Sequence, residues 1–311
     1  DYVDIDVDVK QLAEDMTRVG NEYDYAGNLI NATKLVIGEI VECVDHPDSD
    51  HLHLCKVNIG KEILNIVCGA PNARKGIKVI VALDGAELPG KTIKKGIIRG
   101  QESNGMLCSI AELGLEHKFL KTEDSAGIAE LGQDAKIGED PIKYLQMDDG
   151  VIDFELTANR GDLLSILGMA YEVGAIYDKP VKKVDLEHKE SGEDINKQFS
   201  IEVKTENCKK LLVKKVENVK IEESPTFIKN RLIASGIRPI NNVVDISNYV
   251  MLELGQPLHF YDADRLGNKL VVRMAEEGEK LTTLDNIERT LSAEDIVIAD
   301  KTHGVGLAGV M

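Results

Sequence analysis

The chain has 311 residues, a length that accommodates two or three domains of about 100–150 residues each. Apolar residues make up 43% of the chain and charged residues 29%, a balance that excludes disorder, collagen and a continuous coiled coil. The net charge of −17 argues against a general nucleic-acid binder, and the lack of any apolar run of about 18 residues excludes a membrane span.

The first predicted element is a short helix near the start of the chain. Asp8 is a favourable N-cap, and Gly20 is a favourable stop. Between them apolar residues recur at helical spacing, at Leu12, Met16 and Val19. These signals predict one amphipathic helix of about three turns.

A second, more apolar helix is predicted after the motif TANRGD, with Asp162 as its expected N-cap. Its apolar residues fall on one wide face: Leu163, Leu164, Ile166, Leu167, Ala170 and Val173. Two helices so far apart in sequence can share one small domain. We therefore predict a split helical domain made of residues 1–32 and 147–182.

Residues 33–146, which lie between the two helical segments, are predicted to form an inserted β-barrel. Short β-rich runs such as LVIGEIVECV, ILNIVCGA and KVIVALDGAEL follow one another. Gly, Pro, Asn and Asp separate these runs at intervals of about 8–12 residues. Closely spaced strands with glycine corners favour a small closed barrel over a βαβ sheet.

The stretch 183–198 is polar and highly charged, which predicts a linker. Residues 199–311 are predicted to form an α+β domain. In it, SIEVKTENCKKLLVKKVENVKI alternates as strands, PTFIKNRLIASG and NNVVDISNYVMLELG have the pattern of helices, and IVIADKTHGVGLAGV has that of a hairpin. The predicted fold class is α+β and multidomain: a split helical domain with an inserted β-barrel, followed by an α+β domain.

Positive charge is concentrated in one part of the predicted barrel. Between Arg74 and Gly100 there are seven basic residues and two acidic ones, a local excess of five positive charges. Four of these cations are candidate RNA-binding residues: Lys91, Lys94, Lys95 and Arg99. Such a cluster attracts a polyanion, and the alternative is a solvated face that serves solubility.

The five cysteines are odd in number, and none forms a CxxC pair. This usage predicts reduced thiols and a cytoplasmic protein. The chain starts without methionine or an apolar signal region and stops after an apolar, glycine-rich run, so we expect it to be a fragment of a longer protein.

Two patterns resemble ligand sites. His51, His53 and Cys55 occupy every second position, which in a strand would place them on one face. A zinc site needs a fourth ligand, such as His46. We predict exposed polar side chains and no bound metal. A G-x-G-x-x-G spacing, at residues 304–309, has no helix after it, and we interpret it as part of a hairpin.

Several sequence motifs in the predicted barrel resemble those of a tRNA-binding domain, an oligonucleotide-binding barrel that is appended to several tRNA synthetases. They are IGEIVECVDHPDSDHLHLCKVNIG, IVCGAPNARKG, VALDGAELPG and IRGQESNGMLCSIAELGL. An open barrel with basic loops offers a groove for a nucleic-acid backbone. Aromatic residues for base stacking are few, namely Phe119 and Tyr144. The alternative is a barrel that packs against other protein.

A second set of words resembles the beta subunits of bacterial phenylalanyl-tRNA synthetases. They are DFELTANRGDLLSILGMAYEVGAIY, RPINNVVDISNYVMLELGQPLHFYDADRL and IADKTHGVGLAGVM. The resemblance implies that residues 33–146 are an oligonucleotide-binding barrel and that residues 199–311 are an editing domain, C-terminally truncated. It also implies partners: tRNA(Phe) and a catalytic alpha subunit, in a heterotetramer of two alpha and two beta subunits.

The resemblance further implies that the alpha subunit ligates phenylalanine to tRNA with ATP and Mg²⁺, while this fragment holds no cofactor. The fragment contains neither the HIGH nor the KMSKS word, so we do not expect it to aminoacylate. The alternative function is a tRNA-binding or scaffolding module without editing activity.

Carried over by motif, the family's hydrolytic site for mischarged Tyr-tRNA implies roles for six residues. His259, Asn248 and Arg238 are the candidate catalytic residues, and Ser247, Ala308 and Gly309 are the candidate pocket residues. Two positions depart from the family: Ser247 replaces a frequent threonine, and Phe260–Tyr261 is bulkier than usual. The glutamate that reads the tyrosine hydroxyl in the family lies beyond Met311. The alternative for His259 is a structural histidine bonded to a carbonyl.

Overall fold

The computed structural model describes residues 2–115, 117–120, 127–183, 185–190 and 192–309. Contacts divide the chain into two compact units. The first comprises Asp1–Lys183 and Glu222–Leu258, and the second comprises Val184–Ile221 and His259–Met311. This division groups residues 222–258 with the first unit, whereas the sequence predicts one domain over 199–311. The domain bounds given above stay predictions.

The described residues contain both helices and strands, so the prediction of mixed α and β structure is confirmed. The α-helices are α1 (Val9–Arg18), α2 (Pro141–Tyr144), α3 (Ile166–Tyr177), α4 (Thr226–Ala234), α5 (Asn242–Leu254) and α6 (Ala263–Leu266). Short 3₁₀ turns cover Ala111–Leu113, His117–Phe119, Gly161–Leu163 and Ile195–Lys197. No helix among these residues is long and apolar enough to cross a membrane.

The first unit contains twelve strands within the described part of the chain. They are β1 (Glu22–Asn28), β2 (Leu35–Asp45), β3 (His53–Asn58), β4 (Ile63–Cys68), β5 (Lys78–Ala82), β6 (Glu87–Leu88), β7 (Lys91–Thr92), β8 (Gly96–Ile98), β9 (Gln101–Ser103), β10 (Met106–Cys108), β11 (Glu130–Leu131) and β12 (Gly150–Glu155). Their spacing follows the turn residues that the sequence analysis used.

A six-stranded antiparallel sheet forms the centre of this unit. Its order is β10–β5–β2–β3–β4, with β11 also paired to β5. The sheet curls, because residues near its two edges are linked. The backbone N–H of Asn104 donates to the carbonyl of Asn65 at 2.8 Å, and that of Val67 donates to Ser103 Oγ at 3.1 Å.

Strand β5 is buried on both faces, which explains its continuous apolar run VIVA after Lys78. Val79 and Val81 belong to one core cluster, and Ile80 and Ala82 belong to the other. All four side chains are fully buried. Alternation along the strand therefore places one hydrophobic core on each side of the sheet.

The segments that precede and follow this sheet in the sequence contact each other. Strands β1 and β12 pair antiparallel, and α1 packs on both of them and on α3. The carboxylate of Asp8 accepts a hydrogen bond from the Gln11 N–H at 2.8 Å, so the predicted N-cap is confirmed. A hydrogen bond from the hydroxyl of Tyr177 to Asp15 links α3 to α1.

The predicted N-cap of the second helix is wrong. The hydroxyl of Ser165, not Asp162, accepts the hydrogen bond from the Gly168 N–H at 3.0 Å at the start of α3. Asp162 lies in the preceding 3₁₀ turn, where its carboxylate pairs with the guanidinium of Arg160 at 2.9 Å. That ion pair leaves Ser165 as the nearest side chain able to cap the helix.

Six strands lie in the described part of the second unit: β13 (Ser200–Val203), β14 (Lys269–Met274), β15 (Lys280–Thr282), β16 (Glu288–Thr290), β17 (Ile296–Ala299) and β18 (Gly304–Leu307). Four of them form a sheet of order β13–β14–β17–β18, in which only β13 and β14 are parallel. Strands β15 and β16 form a separate hairpin. The antiparallel pair β17–β18 confirms the hairpin predicted from IVIADKTHGVGLAGV.

The prediction of strands throughout residues 200–221 is only partly correct. β13 ends at Val203, and residues 204–221 contain no strand. Their apolar side chains are not buried, since Leu212 is 79% exposed and Val216 is 68% exposed. Alternation alone does not make a strand when no neighbouring strand accepts its hydrogen bonds.

All five cysteines are free thiols, and three of them are buried: Cys55, Cys68 and Cys108. Burial raises the pKa of all three, that of Cys108 from its ordinary value of 9.0 to about 12. Cys43 lies opposite Cys55 on the neighbouring strand, with their sulfur atoms 3.7 Å apart. Cys43 and Cys208 are only partly buried.

We expect iodoacetamide at pH 8 to label Cys43 and Cys208 first, and Cys108 at least about 10²-fold more slowly than Cys208. Only the thiolate reacts, so a raised pKa lowers the reactive fraction at a given pH, and burial limits access. Peptide mass spectrometry over time measures each rate, which should increase with pH. Labelling of Cys108 as fast as that of Cys208 in the folded protein would contradict this expectation.

Candidate functional site

The candidate RNA-binding cations Lys94, Lys95 and Arg99 lie together on one segment, residues 93–103, here called the basic hairpin, which is largely exposed between its buried ends. It comprises β8, β9 and the three residues before them. Ile97 is 78% exposed at the same place, which is unusual for so large an apolar side chain. The basic hairpin thus presents cations and apolar surface side by side.

The turn of the basic hairpin holds Arg99 in an unusual backbone conformation. Arg99 and Gly100 form a two-residue turn in which both φ angles are positive, 45° and 79°. Only glycine adopts this region without strain, and a side chain there costs about 1 kcal/mol. The guanidinium of Arg99 donates a hydrogen bond to the carbonyl of Asp48 at 3.1 Å, which ties the hairpin to the loop between β2 and β3.

Part of the positive cluster is neutralised by neighbouring groups. Lys91 is paired with Glu112 at 2.9 Å, and Arg74 is paired with Glu130 at 2.6 Å. Lys78 donates to two backbone carbonyls. By contrast, Lys94 and Lys95 have no ion pair within the part of the chain that the structure describes. Fewer cations are therefore available to bind a polyanion than the count of basic residues in the sequence indicates.

Three of the candidate hydrolytic residues lie in the first unit. Arg238 is exposed in the loop between α4 and α5, and Ser247 and Asn248 are half-buried on α5. The side chain of Asn241 caps α5 by accepting hydrogen bonds from the Val243 and Val244 N–H groups. The hydroxyl of Ser247 donates to the carbonyl of Leu258 at 3.1 Å, which fixes the segment that follows α5.

Asp245, which the sequence analysis did not identify, supports the loop that carries Arg238. It is 1% exposed on the first turns of α5. Its carboxylate accepts hydrogen bonds from the hydroxyl of Ser224 and from the Ile240 N–H, the latter at 2.7 Å. Asp245 also lines a cavity of about 740 Å³ in the first unit. None of the candidate site residues lines that cavity.

We expect Asp245→Ala to lower the free energy of unfolding by about 2–4 kcal/mol. The change leaves the buried hydroxyl of Ser224 and the partly buried Ile240 N–H without their acceptor. Urea unfolding followed by circular dichroism measures the loss as a lower midpoint with an unchanged slope. Ser224→Ala is the matched control and should cost about 1 kcal/mol. Equal losses for the two variants would show that the Ile240 N–H does not depend on Asp245.

The other three candidate hydrolytic residues lie in the second unit. His259 is exposed, and its ring lies 4.6 Å from that of Tyr261, between centroids. The Ala308 N–H donates to the carbonyl of Ile296 at 2.9 Å, which extends the β17–β18 pairing by one residue. Gly309 follows with a φ of 79°, a backbone conformation that favours glycine. The six candidates are thus divided between the two units.

The prediction of exposed polar side chains at His51, His53 and Cys55 is only partly correct, because His51 is exposed, His53 is half-buried and Cys55 is buried in the core of the sheet. The histidines near the start of β3 have local partners, although the buried Nε2 of His46 has none among the described residues. His46 Nδ1 accepts a hydrogen bond from the Asp48 N–H at 3.0 Å, while His51 pairs with Asp50 and His53 pairs with Asp45. Among the described residues, no group of three or more His, Cys, Asp or Glu side chains could hold a metal ion. The prediction of no bound metal stays a prediction.

Two family models match the chain: a tRNA binding domain over residues 35–140 and a B3/4 domain over residues 207–311. Curated relatives match the whole chain. The phenylalanine–tRNA ligase beta subunit of Halalkalibacterium halodurans is 47% identical over 318 residues, covering 100% of this chain. Those of Geobacillus kaustophilus and Bacillus subtilis are 46% and 45% identical, again over 100% of this chain. The chain belongs to the phenylalanine–tRNA ligase beta subunit family.

The chain spans 39% of the length of each of these phenylalanine–tRNA ligase beta subunits. The basic hairpin falls inside the match to the tRNA binding domain, and all six candidate hydrolytic residues fall inside the match to the B3/4 domain. A crystal structure of a MetRS related protein from Pyrococcus horikoshii is 20% identical, with a TM-score of 0.25, and covers 33% of this chain and 84% of its own.

Proposed function

We propose that this chain supplies tRNA binding and hydrolytic editing to a cytoplasmic phenylalanine–tRNA ligase. Its partners are tRNA(Phe) and an alpha subunit, in a complex of two alpha and two beta subunits. The observation that carries the proposal is the match of the whole chain to phenylalanine–tRNA ligase beta subunits, with a tRNA binding domain and a B3/4 domain in one sequence.

The proposed architecture assigns one task to each part. Residues 1–32 and 147–182 form a split helical domain, which the pairing of β1 with β12 supports. Residues 33–146 form the tRNA-binding barrel, a role favoured by the curled sheet and the exposed cations of the basic hairpin. Residues 199–311 form the editing domain.

Editing answers a physical limit on amino-acid selection. A hydrophobic pocket shaped for phenylalanine rejects an analogue with one added hydroxyl by only about 10²-fold. Tyrosine is such an analogue, so some tRNA becomes charged with it. Hydrolysis of the ester between tyrosine and the terminal ribose at a second site removes the product.

We assign roles to the candidate residues in each unit separately. In the second unit, His259 orients the attacking water or the tRNA terminus, and the small residues Ala308 and Gly309 leave room for an aromatic ring. In the first unit, the exposed guanidinium of Arg238 contacts phosphate or the terminal ribose, and the polar side chains of Ser247 and Asn248 face the nucleotide end.

The synthetic reaction is assigned to the alpha subunit, which uses ATP and Mg²⁺ to join phenylalanine to tRNA. Hydrolysis of an ester by a positioned water needs neither of these. We therefore expect the editing reaction to proceed with the side chains of this chain and to require no added nucleotide.

The test uses the assembled enzyme and preformed Tyr-tRNA(Phe) and Phe-tRNA(Phe), without ATP or free amino acid. We expect Tyr-tRNA(Phe) to be hydrolysed at least 10²-fold faster than its spontaneous rate, and Phe-tRNA(Phe) to be largely spared. If both esters persist at the spontaneous rate while the enzyme still charges phenylalanine, the chain is a binding or scaffolding module and the editing proposal fails.

A further inference from the structure

The imidazole of His259 has few constraints apart from one aromatic neighbour. The residue lies on an exposed segment after α5, and neither ring nitrogen has a hydrogen-bond partner among the described residues. The ring of Tyr261 lies 4.6 Å away between centroids, with the two planes inclined by 51°. The orientation of the imidazole therefore depends on where the Tyr261 ring is held.

Tyr261 is itself held against the β17–β18 hairpin of the same unit. Its side chain is half-buried, and burial raises the pKa of its hydroxyl. The hydroxyl oxygen lies close to the space that a side chain at residue 306 would occupy. A Cβ built on Gly306 would be 2.7 Å from this oxygen. Gly306 lies on β18 opposite Ile298, two residues before Ala308.

The space at Gly306 is limited by the tyrosine hydroxyl rather than by the ring. The same Cβ would lie 3.7 Å from Tyr261 Cζ and 3.9 Å from Ile298 Cβ, both ordinary van der Waals distances. The φ angle of Gly306 is not in the left-handed region. Alanine at this position would therefore force the Tyr261 hydroxyl to move, a conflict that phenylalanine at 261 would remove.

We propose that Tyr261 is a positioning residue that orients the imidazole of His259, and that Gly306 provides the space that seats Tyr261 on the hairpin. The inference rests on the proposed hydrolytic role of His259 for its functional consequence. Its geometry rests on three residues of one unit. The aromatic ring performs the positioning, and the hydroxyl determines only what fits at residue 306.

Four variants distinguish the contribution of the Tyr261 ring from that of its hydroxyl. Tyr261→Phe keeps the ring, and Tyr261→Leu removes it. Gly306→Ala places a methyl group against the hydroxyl and displaces the ring. The double variant Gly306→Ala/Tyr261→Phe removes the steric conflict and restores the position of the ring. This reciprocal rescue is specific to the contact, because two merely destabilising changes would add.

The first measurement is independent of activity. In the 311-residue chain, the carbon-bound proton signals of His259, assigned with His259→Ala, carry a ring-current shift from Tyr261. We expect that shift to be kept in Tyr261→Phe, lost in Tyr261→Leu and Gly306→Ala, and recovered in the double variant. A His259 signal that does not change in Tyr261→Leu, or is not recovered in the double variant, would overturn the proposal.

The second measurement follows Tyr-tRNA(Phe) hydrolysis in the assembled enzyme. We expect Tyr261→Leu and Gly306→Ala to lower kcat about tenfold or more with little change in KM, and the double variant to return close to wild type. Phenylalanine charging should stay constant in all of them. If His259→Ala leaves hydrolysis unchanged, the proposed function of His259 fails, and the signal pattern alone still decides the orienting role of Tyr261.

Discussion

Replacing His259 with alanine in the assembled enzyme is expected to slow hydrolysis of Tyr-tRNA(Phe) by about 10²-fold or more and to leave phenylalanine charging unchanged. An imidazole within about 3 Å of the ester holds the attacking water or the ribose, and loss of such positioning typically has an effect of this size. The two activities separate because the synthetic site is assigned to the other subunit. Single-turnover deacylation and steady-state charging measure them.

His188→Ala is the matched control for this variant. His188 is also exposed and belongs to the second unit, where its ring contacts Glu190 and Lys214. We expect its removal to change neither activity. If His259→Ala clears Tyr-tRNA(Phe) at the wild-type rate, His259 is structural. Loss of charging as well would favour the scaffolding alternative, because the substitution would then disturb the assembly.

Replacing Lys94, Lys95 and Arg99 together with alanine is expected to weaken tRNA binding roughly 10- to 100-fold at low salt. Each lysine or arginine that contacts a phosphate releases about one counterion, so the slope of log affinity against log salt should flatten by about two to three units. Filter binding or fluorescence anisotropy of the assembled enzyme over a range of salt concentrations measures both quantities. The exposed side chains of the basic hairpin make these residues the strongest candidates.

Two controls distinguish a direct contact with the tRNA from an effect of the overall charge of the protein. Lys91→Ala should have a smaller effect, because Lys91 is already paired with Glu112. The triple variant of Lys189, Lys209 and Lys210 removes the same charge from exposed positions in the second unit. If that control flattens the salt slope as much as the basic-hairpin variant, overall charge determines the affinity and the hairpin has no special role.

The helices and strands that the sequence predicted correctly have local signals that agree with their environment. Asp8 caps α1 as expected, and the apolar run from Val79 to Ala82 becomes a buried strand. Where prediction failed, contacts that the hydrophobic pattern does not specify determined the outcome. Arg160 engages Asp162 and leaves Ser165 to cap α3, and residues 204–221 have strand-like alternation but no partner strand.

The candidate site was predictable only in part, for a similar reason. A count of charges identifies Lys94 and Lys95, but it cannot show that Lys91 is neutralised by a residue 21 positions later. An aspartate among apolar helix residues, such as Asp245, is expected at the surface from sequence alone. Only the fold brings Ser224 and the Ile240 N–H to its carboxylate. The division of the six hydrolytic candidates between two units has no sequence signal.

Strand β5 belongs to both hydrophobic cores of the first unit, and this has a consequence for how that unit unfolds. Neither core can open alone without exposing one face of the strand, because successive side chains from Val79 to Ala82 alternate between the two cores. Local opening at β5 therefore costs nearly as much as complete unfolding of the sheet. Its backbone amides should be among the last in this unit to exchange their hydrogen with deuterium, well after those of the basic hairpin.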